Sequence, residues 1–160
     1  MIKALPFSEI VPVMTEVLKK GASFTFIPNG ISMLPLIKGG TDRVTVSPLP
    51  DKLKTGDIVL YKRASGQFVL HRIVKKKKAS YVLCGDHQNV FEYNVTRENM
   101  LAVVTEIIND EEKIILSENK KYRSYVRHLL LKKHGYNILR RLFSPLIRTL
   151  RNLKSRSALR

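Results

Sequence analysis

The chain has 160 residues and a mass of 18.3 kDa, enough for one domain with a real core and an appended segment. There are 29 Lys+Arg against 13 Asp+Glu, a net charge of +16, which predicts an anionic partner: nucleic acid, an acidic polypeptide or a membrane surface. A single cysteine, Cys84, excludes an internal disulfide framework and a multi-cysteine zinc site, and no apolar run approaches the ~20 residues of a spanning helix.

The start, Met1 to Glu9, lacks the basic stretch and apolar run of a secretory signal. Phe7, Ile10, Val11, Met14, Val17 and Leu18 then recur at helical spacing, and Ser8 and Gly21 supply a cap and a stop for a helix over 8–20. Both signs of charge on its polar face favour packing on a core over membrane anchoring. From Ser23 the period becomes that of strands. Ser23–Ile27, Arg43–Val46, Asp57–Tyr61, Phe68–Val74, Ser80–Cys84 and Leu101–Ile108 are predicted strands, with a further short one at Ile114–Leu116. Ser65-Gly66 is a predicted hairpin turn, and Lys75–Lys78 a solvated charged turn rather than a nucleic-acid patch. The fold class expected is mainly β: a small antiparallel domain between two helices.

The charge is uneven. Residues 1–116 hold 16 Lys+Arg and 12 Asp+Glu; residues 117–160 hold 13 Lys+Arg and one acid, Glu118. The expected organisation is therefore an N-terminal amphipathic helix over 1–22, a β-domain over 23–116 and a basic helical tail over 117–160. In the tail Ile138, Leu139, Leu142, Phe143, Leu146, Ile147, Leu150 and Leu153 recur every three or four residues, with Gly135 and Ser144-Pro145 as expected interruptions. A basic helix with a broad apolar face suits an anionic membrane interface; packing against the domain or a protein partner is the rival.

Three residues could carry chemistry. Ser32 lies in Gly30-Ile31-Ser32-Met33-Leu34-Pro35, where the chain must turn and can expose a hydroxyl beside free backbone N–H groups. His71 sits in the apolar strand Phe68–Val74, where an imidazole needs a partner or a task; its unperturbed pKa of ~6.5 suits a general base. Asp86, in Cys84-Gly85-Asp86-His87, stands just past a strand end, where a carboxylate can orient an imidazole or simply serve a turn.

Taken together, Gly-x-Ser-Met-x-Pro, Gly56-Asp57-Ile58-Val59, His71-Arg72-Ile73-Val74 and Gly85-Asp86 resemble, in order, the signal peptidase family of serine endopeptidases. The likeness spans about residues 24–108 and is greatest to the archaeal and endoplasmic-reticulum branch, where a histidine replaces the lysine base. The resemblance implies Ser32 as nucleophile, His71 as general base and Asp86 as its orienting acid, with the backbone of Ser32 and Met33 forming the oxyanion hole. It implies structural roles for Arg72, Pro35 and the Met33 side chain, a β-rich catalytic fold, no metal or cofactor, and a precursor protein or leader peptide bound extended as substrate. Asp42 and Asp57 are competitors for the orienting role, and His87 is expected to be a solvated loop residue. Lys38–Arg43 is longer than the family's usual step, and the family's membrane-spanning helix has no counterpart before the serine. The basic tail is the expected substitute, giving peripheral membrane association, with a cytosolic role as the alternative. The substrate-binding residues are not legible. A self-cleaving repressor-type peptidase and an inactive β-domain with a membrane- or nucleic-acid-binding tail are the rival functions, nucleic acid being disfavoured by the mild charge of residues 1–116.

Overall fold

In the computed structural model, residues 7–157 are described, with side chains through residue 139. Helix α1 (Phe7–Lys19) leads into eight strands: β1 (Phe24–Phe26), β2 (Arg43–Ser47), β3 (Ile58–Lys62), β4 (Phe68–Lys76), β5 (Tyr81–Cys84), β6 (Phe91–Val95), β7 (Met100–Ile108) and β8 (Lys113–Ile115). Helix α2 (Lys120–Ser157) closes the chain. All strand pairs are antiparallel, in the order β1-β2-β7-β3-β4-β5-β6, with β8 added to β7.

The local chemistry explains the element ends. Gly21 takes φ +78°, and the N–H groups of Gly21 and Ala22 return to Leu18 and Val17, so the last carbonyls of α1 are satisfied where only glycine is unstrained. Asn119 caps α2 by accepting from the Tyr122 N–H at 2.8 Å. The interruptions expected at Gly135 and Ser144-Pro145 do not divide α2, which is one helix over its whole span.

The sheet buries both faces. Successive strand residues point to opposite sides, so β3 sends Ile58 and Leu60 one way and Val59 and Tyr61 the other. On the first side they join Val44, Val46, Leu70, Ala102 and Ile107 beneath Met14 and Leu18 of α1. On the second they join Ile73, Leu83, Val95 and Met100. The register pairs Val59 with His71 and Ile58 with Arg72. His71 therefore belongs to the second face and Arg72 to the first, a division that decides the chemistry of the site.

Candidate active site

The serine is held by two glycine contacts. Gly39 packs on Gly30 so closely that a Cβ there would lie 2.1 Å from the Gly30 carbonyl oxygen. A Cβ on Gly85 would lie 2.6 Å from the Ser32 carbonyl oxygen, and the His87 N–H donates to that same oxygen at 3.0 Å. The turn over residues 38–43 thus braces the turn before Ser32 from one side, and the loop after β5 braces it from the other. Ser32 is half-buried at the wall of a cavity of about 530 Å³. The N–H groups of Ser32 and Met33 make no backbone hydrogen bond among the described residues, leaving them free for an oxyanion.

His71 lines the same cavity. Its side chain is 1% exposed, and burial pushes the ring pKa down to about 4, against the opposing pull of Glu92. The imidazole is therefore neutral at physiological pH. Nδ1 lies 3.1 Å from Glu92 Oε1 and 3.2 Å from the Tyr61 hydroxyl. Nε2 has no hydrogen-bond partner, alone in this among buried side-chain polar atoms of the described residues. An unpartnered buried acceptor is costly unless something arrives to use it. The remaining walls are largely apolar, with Phe7, Phe26, Ile31, Met33 and Phe68 among them.

Asp86 is brought to the site's scaffold and not to the imidazole. Its carboxylate accepts from Arg72 Nε at 2.8 Å and Nη2 at 2.6 Å, and from the Tyr125 hydroxyl at 3.1 Å. Arg72 also donates to the Gly56 carbonyl at 2.6 Å and to the Tyr122 hydroxyl at 2.8 Å. The reason is the alternation of the strand. Cys84 pairs with Arg72, so Asp86, two residues on, extends the Arg72 face of the sheet. Asp86, expected to orient His71, thus makes its side-chain hydrogen bonds to Arg72 and Tyr125 and none to the imidazole, although its charge still favours the protonated ring. Arg72 takes the structural role expected of it. Asp42 and Asp57 serve their own turns, accepting from the Lys38 and Lys54 N–H groups at 2.7 Å each. His87 is exposed, as expected.

Sequence reasoning missed four groups here. Glu92, on the unpredicted strand β6, is paired with Arg63 and faces His71. Tyr122 and Tyr125 of α2 close over the Arg72–Asp86 pair. Lys133, 4% exposed, donates to the Gly85 carbonyl at 3.0 Å and to the Gln88 carbonyl, gripping the loop that braces Ser32. The first turns of α2 are therefore part of the site's support. Leu131, Ile138 and Leu139 stay 66%, 46% and 55% exposed on α2.

Cys84 is buried and its thiol pKa is raised by burial, which disfavours the nucleophilic thiolate. No cluster of three potential metal ligands occurs among the described residues. No family model matches the chain, and neither a curated protein nor a solved structure matches it.

Proposed function

We propose that the chain is a serine endopeptidase of the signal peptidase type, cutting an extended apolar segment of a precursor protein or leader peptide. The observation that carries this reading is that Ser32 and a neutral, buried His71 with a bare Nε2 line one apolar cavity. Ser32 Oγ attacks the scissile carbonyl carbon while His71 Nε2 takes the hydroxyl proton. The oxyanion is held by the Ser32 and Met33 N–H groups. Collapse breaks the C–N bond, and the proton passes from Nε2 to the departing amine. Water then attacks the acyl carbon while Nε2 takes its proton; the bond from that carbon to Ser32 Oγ breaks, the acid product leaves, and Nε2 returns the proton to Oγ. The free enzyme need not hold a tight Ser–His hydrogen bond, since such contacts commonly close only with substrate.

The fold supports an extended substrate. Strand β4 pairs with β5 only from Arg72 onward, so Phe68–His71 has a free edge on that side, and these residues line the cavity. A substrate strand adding there would present its carbonyl to the serine loop, with alternate side chains in apolar pockets.

A cleavage assay on a library of apolar extended peptides tests the reading. Ser32→Ala and His71→Ala should each reduce kcat by at least about 10³-fold. Full activity in both variants would sink the mechanism, and cutting of the protein's own chain alone would point to self-cleavage.

The same reading places the enzyme at an anionic membrane surface. No helix among the described residues is long and apolar enough to span a bilayer. Exposed Leu131, Ile138 and Leu139 on α2, together with seven Lys+Arg and no acid in residues 140–160, support a helix lying on such a surface. Vesicles rich in anionic lipid should sediment the full chain at physiological salt and a 1–139 truncation at least about tenfold less, each basic residue near the surface contributing ~1 kcal/mol. Equal binding would remove the tail from the account.

A further inference from the structure

The sheet face of His71 carries a carboxylate that the resemblance does not assign. The geometry points to Glu92 as the positioning acid of His71, fixing the imidazole in the tautomer that can take the serine proton; this rests on the Ser32–His71 reading above. Glu92 lies opposite Leu83 in the β5–β6 register, on the sheet face that also carries Tyr61, Val69 and Ile73. That is the face of His71. Asp86 occupies the other one.

The arrangement leaves one place for the proton. A carboxylate can only accept, so a ring nitrogen 3.1 Å from Glu92 Oε1 is stable with its hydrogen on Nδ1 and not with a lone pair facing the charge. The Tyr61 hydroxyl, 3.2 Å from Nδ1, is then free to donate to Glu92. With the hydrogen on Nδ1, Nε2 carries the lone pair, and Nε2 is the unpartnered atom. When Nε2 gains the serine proton, the carboxylate stabilises the resulting imidazolium.

Glu92 is kept ionised for this task. Burial pushes its carboxyl up, but hydrogen bonds from Arg63 and Tyr61 and the field of His71 and Arg63 outweigh it, so its pKa lies below the usual value. Arg63 Nε reaches both carboxylate oxygens, at 3.2 and 3.1 Å, and its Nη2 also meets Oε1. The opposite end of the same guanidinium is steadied by Gln67 at 2.6 Å across the β3–β4 turn. Arg63 is 33% exposed and Glu92 21%, so the pair is half open, and Arg63 itself lines the cavity.

Glu92 acts through His71 and is a positioning residue. Nitrogen-15 NMR of the wild-type protein near pH 7 reads its effect directly: His71 should be protonated at Nδ1 and bare at Nε2. Glu92→Gln, whose amide can donate to Nδ1, should move most of the ring to the Nε2–H form. In the peptide assay it should lower kcat about 10²–10⁴-fold with KM changed less than about threefold. Glu92→Asp should recover part of the loss. A wild-type His71 protonated at Nε2, or Glu92→Gln with tautomer and kcat unchanged, overturns the proposal. The NMR result stands independently of any cleavage. If Glu92 sets the tautomer but Ser32→Ala loses nothing, the peptidase reading fails and the role of Glu92 on the imidazole survives.

Discussion

Two arginine–carboxylate pairs flank the histidine strand, and they are built for different ends. Arg72–Asp86 is sealed, its side chains 0% and 1% exposed, and Gly56, Tyr122 and Tyr125 take up bonds from its two members. Arg63–Glu92 is half open, and one carboxylate oxygen stays within reach of His71. A sealed pair has its valences filled within the scaffold, so it fixes geometry. In the proposed mechanism the open pair keeps an acceptor for His71, which must change its charge.

Breaking the sealed pair should produce the largest change in stability. Asp86→Asn leaves a buried guanidinium without its counter-charge and should cost about 3–5 kcal/mol, measured by urea unfolding. If it costs no more than Glu92→Gln, the contrast between the pairs is lost. Lys133→Met leaves the Gly85 and Gln88 carbonyls without their donor and should cost about 1–3 kcal/mol. It should also lower kcat, because the freed loop braces Ser32; stability and rate moving independently would argue against that coupling.

A smaller effect should appear on titration. His71 binds a proton at ~6.5 when unfolded and at about 4 when folded, chiefly because the folded ring is buried. Between these values the unfolded chain holds more protons, so stability is full above ~6.5 and falls as pH drops towards 4. Tyr61, Arg63, Glu92 and Asp86 face or act on this ring, and Glu92 adds an acid loss of its own below the usual carboxyl range. Unfolding at pH 7 and pH 5 should separate wild type from His71→Gln, whose stability should vary less across that window. The smallest change in stability is expected for Arg63→Met, at most about 1 kcal/mol for a pair so exposed, while kcat falls as Glu92 loses its anchor.

The strands and the first helix were largely legible because their apolar residues keep strict periods. Strand β6 was not. Phe91-Glu92-Tyr93-Asn94-Val95 is short, carries two polar residues, and has Asn94 at φ 59°, so it resembles a loop. Glu92 was lost with it. The placement of Asp86 was not legible for a different reason: its nearness to a strand end in sequence says nothing about which face it continues, and only the pairing of Cys84 with Arg72 settles that. The support from α2 was invisible because Tyr122 meets Arg72 across 50 residues and Lys133 meets Gly85 across 48. Charge marked residue 117 as a boundary, yet packing runs straight across it. A 1–116 fragment would lose both tyrosines and the lysine, which is why vesicle binding is better tested with residues 1–139.

The close approach of Gly85 to Ser32 also sets an order of events during synthesis. The turn bearing the serine is held by the loop after β5, and that loop is held in turn by Lys133. A chain still emerging from the ribosome can form its early strands, but it lacks the clamp until residue 133 has been made and α2 has docked. Ser32 is thus among the first of the candidate site residues to be translated and among the last to be placed. In the proposed peptidase, a centre assembled in that sequence has no finished form in which to cut its own unfinished chain.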